Sequence, residues 1–219
     1  YTTLFRSPGN PDYVYLDYVY FARLLEADKQ YEEAVVQFNK ALSMDKSHTE
    51  IYKDISDVYE KKRDFPKAIE AYKNYLDEMK SSPDISDLFL YGRLNYYAAT
   101  DSAYQDKQPT YLAEADTIFA QVAVKVPDNY LGNFWRARVN SLRDPETTQG
   151  LAKPYYEAAL SILEQKPDAT KSVLVECNSY LGYYYFVKED YNQSKQYWNK
   201  ILEIDPENET ATKALGGIK

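Results

Sequence analysis

The segment QYEEAVVQFNKALSMDKS (Gln30–Ser47) has the same pattern of apolar and polar residues as DFPKAIEAYKNYLDEMKS (Asp64–Ser81). Aligned without gaps, Ala34 falls on Ala68, 34 residues further along the chain. A third copy, DYNQSKQYWNKILEIDP, ends the series near the C-terminus. A period of this length indicates a protein built from repeated supersecondary units.

Each copy follows a second amphipathic segment, such as EIYKDISDVYEKKRD before the copy at Asp64. Apolar residues recur three and four positions apart in both segments, which predicts helices. Clusters of Asp, Lys, Asn and Pro separate them, and such clusters are typical of turns. With two looser copies at 111–127 and 150–167, the sequence predicts a helix-turn-helix pair used five times.

This pattern closely resembles the tetratricopeptide repeat, and the chain as a whole resembles bacterial proteins that contain arrays of this repeat. In the last repeat the residues that carry the resemblance are Asn178, Leu181, Gly182, Tyr185, Tyr191, Ser194, Trp198, Ile201, Leu202 and Pro206. The small residue of the first helix is Ala22, Ser56, Gly92 and Ala137 in the other four. The resemblance covers residues 13–219. It implies an all-α fold, a right-handed α-α superhelix or solenoid.

The repeat boundaries follow from this alignment. The expected units are repeat one at 13–47, repeat two at 48–81, repeat three at 82–127, repeat four at 128–168, repeat five at 169–207, and a capping or next-repeat helix at 208–219. Repeat three carries an insertion at 101–111 and repeat four a long turn at 143–150. Residues 1–12 are expected to end a truncated preceding repeat. The chain is therefore interpreted as part of a longer protein.

Composition excludes several classes of function. The formal net charge is −8 and there is no basic run, which argues against a nucleic-acid partner. No apolar stretch approaches the roughly 20 residues that span a membrane, so no direct insertion is expected. The compartment stays open between a bacterial cell envelope and the cytoplasm.

No constellation of residues predicts catalysis, a metal site or a cofactor. His48, the single histidine, lies in a predicted surface turn, and Cys177, the single cysteine, lies on a predicted buried helix face. Several stacked repeats would separate them, so they cannot form a nucleophile pair. The chain is predicted not to be an enzyme.

The resemblance also implies that the first helices line a concave groove that receives a peptide or partner segment. The side chains expected to face it are Arg23, Phe89, Arg93, Tyr96, Tyr97, Phe134, Arg138, Tyr183 and Phe186. Aromatic residues and arginine are enriched at interface hot spots, and arginine suits a carboxylate, so a partner with acidic groups is expected. The open alternative is that Arg93 and Arg138 pair with acids of this chain and that the aromatics pack between repeats.

One subgroup of the family clamps chaperone C-termini with Lys and Asn. Its positions are occupied here by Val19, Arg23 and Asp54, and a carboxylate repels a carboxylate ligand. This subgroup is therefore excluded.

The leading interpretation is a non-enzymatic scaffold for protein–protein interaction. Two alternatives remain: a regulatory or recruiting arm of a larger enzyme or envelope complex, and a groove that senses a small molecule or glycan. Among the three tyrosines 183–185, Tyr183 is predicted to face the groove and Tyr185 to be part of the core.

Overall fold

Helices account for most of the described residues in the computed structural model, which describes residues 14–79 and 81–218. The elements are α1 (Tyr15–Ala27), α2 (Tyr31–Met44), α3 (Ile51–Lys61), α4 (Phe65–Glu78), α5 (Ile85–Thr100), a 3₁₀ helix (Ser102–Lys107), α6 (Gln108–Lys125), α7 (Leu131–Arg143), α8 (Lys153–Leu163), α9 (Lys171–Val187), α10 (Tyr191–Ile204) and α11 (Glu209–Gly217). No strand occurs in the described ranges, which confirms the all-α prediction. The truncated repeat expected at residues 1–12 lies outside them.

The chain divides into two units, Tyr1–Ala98 and Ala99–Lys219. In the first unit, buried apolar side chains of α1, α2 and α3 form one cluster, centred on Phe38 and Ile51. In the second unit, Trp198 of α10 packs with Ala211 of α11. Each cluster is built where one helix covers the apolar face of the next, as an array of repeats requires.

Paired small residues set how closely the two helices of a repeat approach. In repeat two the hydroxyl of Ser56 on α3 donates to the carbonyl oxygen of Ala68 on α4, at 2.8 Å. In repeat five the direction is reversed, because Ser194 on α10 donates to the carbonyl oxygen of Gly182 on α9, also at 2.8 Å. A larger side chain at either position would separate the helices and break this contact.

Three turns between paired helices share one backbone conformation. Lys29, Arg63 and Glu189 have φ near +61°, the left-handed region. The following residue in each turn donates its backbone N–H to a carbonyl five residues earlier, as Gln30 does to Leu25. This is the Schellman arrangement that ends a helix by satisfying its last carbonyl groups. Lys29 and Arg63 lie 34 residues apart, so the turn recurs with the sequence period.

The two longer connections differ from these turns. Residues 102–107 form the 3₁₀ helix, and the last four residues of the expected insertion at 101–111 belong to α6. The turn after α7 is organised by Asp144, which is 3% exposed. Its Oδ2 accepts backbone N–H groups of Gln149 at 3.0 Å and Gly150 at 2.7 Å. Burial alone would raise the pKa of Asp144, but these donors outweigh it and lower the pKa.

Replacing Asp144 with Asn should loosen this turn. The amide keeps one acceptor oxygen but loses the charge that strengthens the bonds to Gln149 and Gly150, so we expect a loss of about 1.5–3 kcal/mol in the free energy of unfolding at pH 7. Because the folded-state pKa is lowered, the carboxylate's contribution is present above its ordinary pKa and disappears as the pH falls through the folded value. Urea titrations of both proteins should therefore converge below about pH 4. A constant difference between pH 7 and pH 3 would contradict this account.

Gly132 marks the closest approach of α6 and α7. A Cβ atom at this position would lie 2.5 Å from the backbone nitrogen of Ala123, so α6 would have to move to admit it. Overpacking of this kind costs about 1–3 kcal/mol, more than the roughly 1 kcal/mol by which Ala exceeds Gly in helix propensity.

The Gly132→Ala variant should therefore unfold at a lower urea concentration than the wild type. Gly216 on α11 supplies the matched control, because a Cβ atom added there would have no atom within 4 Å of it. Gly216→Ala should leave the midpoint unchanged or raise it. Equal effects at the two positions would show that packing at Gly132 does not limit stability.

Candidate functional site

In the first unit, the predicted arginines are paired with acids of neighbouring helices. Arg23 on α1 contacts Asp54 on α3 at 3.0 Å, although half of its side chain stays exposed. Arg93 on α5 lies 3.6 Å from Glu60 on α3. These pairs join successive first helices, so both guanidinium groups already have a carboxylate beside them.

Two of the aromatic residues predicted for this unit, Tyr96 and Tyr97, pack against each other. The Tyr97 ring lies 6.4 Å from Phe65 and 5.9 Å from Tyr96, centre to centre. The guanidinium of Arg93 lies 5.2 Å from the centre of the Tyr97 ring, which is cation–π distance. Phe89, Tyr96 and Tyr97 are all half-buried. These contacts correspond to the packing alternative.

In the second unit, Arg138 on α7 is held by Glu176 on α9. Its Nε and Nη2 donate to the two carboxylate oxygens at 2.7 and 2.6 Å, a bidentate pair. The hydroxyl of Tyr156 donates to the same carboxylate at 3.2 Å. The guanidinium also lies 4.5 Å from the centre of the Phe134 ring. A partner's carboxylate would have to displace Glu176 to bind the Arg138 guanidinium in the same way.

Phe134 does not belong to the exposed set predicted from the sequence. Its side chain is 4% exposed, and its ring packs edge-on against Tyr130 and Tyr156 at about 6 Å. The expectation that it contacts a ligand directly is corrected, because Arg138 and these rings cover it. Helical spacing along α7 gave no sign of the contact with Tyr156, because that ring comes from α8.

Tyr183 and Phe186 are the predicted aromatic residues whose side chains are most exposed to solvent. They lie three positions apart on α9 and are 43% and 42% exposed. Tyr191, the first residue of α10, is 41% exposed, and its ring lies 5.9 Å from that of Phe186. The sequence analysis named Tyr191 as a repeat-pattern residue and did not include it among the groove residues, so this third member was missed. We call Tyr183, Phe186 and Tyr191 the α9 aromatic surface.

The two other tyrosines of the 183–185 run have separate contacts. Tyr185 is half-buried and stacks on Tyr197 of α10, with ring centres 5.6 Å apart and planes 7° apart. Tyr184 covers Gly150, where an added Cβ would lie 2.4 Å from its ring. Of the three tyrosines, Tyr183 is the exposed one.

Titratable groups offer little for chemistry in the described part of the chain. Burial raises the pKa of the Cys177 thiol to about 12, so it stays protonated at neutral pH and is a poor nucleophile. His48 is stacked on Tyr15, with ring centres 3.8 Å apart, and lies between Asp45 and Glu50. Within residues 14–79 and 81–218, no group of three or more His, Cys, Asp or Glu side chains could hold a metal ion. Over the same ranges, no helix is both long and apolar enough to cross a membrane.

A fold of helices covering one another at a fixed period defines a helical-repeat protein. The family model described as tetratricopeptide repeat matches residues 18–48 and 180–208, which overlap repeats one and five of the sequence alignment. The expected resemblance to the tetratricopeptide repeat is therefore confirmed at these two segments. Among curated proteins, none matches this sequence.

Solved structures that are similar to this chain have the same helical-repeat fold. The C-terminal part of a tetratricopeptide-repeat-containing protein from Cytophaga hutchinsonii is 29% identical, with a TM-score of 0.80 over 95% of this chain and 76% of that one. YrrB, described as a tetratricopeptide-repeat protein with an unusual peptide-binding site, is 19% identical, with a TM-score of 0.60 over 90% of each chain. MamA is 15% identical, with a TM-score of 0.64 over 90% of this chain and 94% of that one. The predicted α-α solenoid fold is confirmed.

One acid on α3 is placed unfavourably. Although part of the Asp57 side chain is exposed, crowding by neighbouring groups raises the pKa of its carboxylate, and the charges of Glu60 and Asp54 raise it further. The ionised form therefore opposes folding at neutral pH. The penalty disappears as the pH falls and the group becomes protonated in the folded state.

Asp57→Asn should therefore raise the midpoint of thermal unfolding at pH 7. The gain should shrink as the pH is lowered towards 4, because the wild-type carboxyl then becomes neutral as well. Asp77→Asn, at an exposed acid of α4, serves as the control for a general change in net charge. An equal gain at the two positions, or a gain that persists at pH 4, would contradict local repulsion as the cause.

Proposed function

We propose that the protein is a non-enzymatic scaffold that binds an extended segment of a partner protein through the α9 aromatic surface. The tetratricopeptide-repeat fold supports protein–protein interaction in general. The observation that carries the finer proposal is that Tyr183, Phe186 and Tyr191 are each about two-fifths exposed, with the Phe186 and Tyr191 rings adjacent.

Exposed aromatic side chains of this kind favour a protein partner. Tyr and Phe offer a large apolar area while losing little conformational entropy, and such residues supply most of the energy at interface centres. Tyr183 and Phe186 lie on the same helix face, three residues apart, where one bound segment can touch both. The description of YrrB as having a peptide-binding site adds a precedent for peptide recognition on this fold.

Arginine has a smaller part in this proposal than the sequence suggested. Arg138 is held bidentately by Glu176, so a partner's acid gains only by replacing an equivalent carboxylate. The chain's net charge of −8 also opposes a strongly acidic partner. Apolar and aromatic side chains of the partner should therefore matter more than acidic ones.

The test is selection of peptides from a random display library on the full chain, followed by affinity measurement. Selected peptides should lose at least tenfold in affinity for the Tyr183→Ala, Phe186→Ala double variant, because truncating a hot-spot aromatic costs more than about 1 kcal/mol. Arg138→Lys should have a smaller effect on the same peptides.

Tyr20→Ala is the matched control, since Tyr20 on α1 is 57% exposed but belongs to the other unit. Its affinity for the selected peptides should equal that of the wild type, with circular dichroism confirming that each variant is folded. Peptides that bind the double variant and the wild type equally well would refute the proposal.

A further inference from the structure

A cleft of about 430 Å³ opens between α8, α9 and α10, away from the α9 aromatic surface. Its apolar lining includes Leu160 and Leu163 of α8 and Leu174 of α9. Asn178 of α9 also lines it, and charged side chains complete the lining.

The repeat supplies an internal comparison for this cleft. Asn178 lies four residues before Gly182, and Tyr52 lies four residues before Ser56, so the two occupy the same position of their repeats. Tyr52 lines the corresponding cleft between α2, α3 and α4, which measures about 210 Å³. Where repeat two has an aromatic ring, repeat five has a short amide and about twice the space.

The amide of Asn178 is left half-satisfied. Its Nδ2 donates to the carbonyl oxygen of Leu174 at 2.7 Å, which fixes the orientation of the amide. Its Oδ1 has no hydrogen-bond partner, and the residue is only 1% exposed. A buried acceptor without a donor is unfavourable, so a ligand that supplies an N–H or O–H group would be favoured here.

Two lysines give the cleft a local positive charge. Lys166 and Lys171 both line it, and neither has an acidic partner among the described residues. Lys171 is also the first residue of α9, whose N-terminus carries the positive end of the helix dipole. Of the two acids in the lining, Glu164 is paired with Lys200 at 2.8 Å, and Glu203 is exposed.

We propose that this cleft binds a small aromatic acid. The ring of the ligand occupies the space that the Tyr52 ring takes in repeat two. A hydroxyl or ring N–H group of the ligand donates to Oδ1 of Asn178, and its carboxylate pairs with Lys166 and Lys171. This site is separate from the proposed partner surface.

Binding can be measured by ligand-observed NMR and calorimetry on the full chain, with indole-3-acetate and N-acetyltyrosine as probes. Each should saturate a single site, and the corresponding neutral amides should bind at least tenfold more weakly. Saturation should persist in the Tyr183→Ala, Phe186→Ala variant, which separates this site from the partner surface. If neither acid saturates the protein at concentrations up to about 10 mM, the proposal is overturned, because a specific site with these contacts should bind more tightly than that.

Two variants locate the site. Asn178→Tyr restores the residue type of repeat two, so it should abolish binding while leaving or raising the melting temperature. Lys166 and Lys171 are exposed, so the Lys166→Gln, Lys171→Gln double variant should fold and tests the site even if Asn178→Tyr does not fold. It should weaken the acids at least tenfold and leave the amides unchanged.

Asn74→Ala serves as the control, because Asn74 lines the smaller cleft of repeat two. It should bind both acids like the wild type. Undiminished binding by Asn178→Tyr, or by the lysine double variant, would overturn the proposal, as would equal binding of acids and amides.

Discussion

The closeness of the two helices within a repeat is the constraint on which the rest of the structure depends. Ser56 and Ala68 meet at one such crossing, and Gly182 and Ser194 at another, with a hydroxyl bonded to the opposing carbonyl in both. Only small residues allow this approach. Once the helices are so close, large side chains on either side of the crossing, such as Tyr72 and Trp198, must pack into the space that remains. The spacing of small residues along the sequence therefore determines where the core can form.

Charged side chains form ion pairs between helices, whereas some aromatic side chains stay exposed. In the first unit, ion pairs link successive first helices, as Arg23 does with Asp54 and Lys61 with Glu26. Exposed pairs of this kind contribute little stability each, so their main effect is to neutralise the surface they occupy. In the second unit, the bidentate pair occupies the arginine, and aromatic side chains of α9 and α10 are exposed to solvent. The exposed rings support the proposal that a partner is recognised through shape and apolar contact.

The period of the chain could be predicted from the sequence because it depends on local residues. Ala34 and Ala68 fix the register of the helix pairs, and left-handed residues at Lys29 and Arg63 recur in the same register. The state of a predicted site residue depends instead on what other helices bring to it. Arg138 lies on the expected face of α7, yet only the structure shows Glu176 across from it. Phe134 was expected to face the groove and is buried, and Tyr191, which was not among the expected groove residues, is exposed. Contacts between different helices, and for Arg138 between different repeats, decide these cases, and the apolar pattern of a single helix does not contain them.

The shared turn conformation also limits how the chain can vary in length. At Lys29, Arg63 and Glu189, backbone hydrogen bonds join the turn to the end of the preceding helix. One added residue would break these hydrogen bonds and shift the register of the next helix. The connection after α7 is closed by the Asp144 side chain instead, which reaches N–H groups five to seven residues ahead. A loop held by side-chain hydrogen bonds tolerates a change in its length or conformation better than a turn held by backbone hydrogen bonds does. Insertions acquired during evolution should therefore accumulate at this connection and at residues 101–107, where the helices on either side keep their packing.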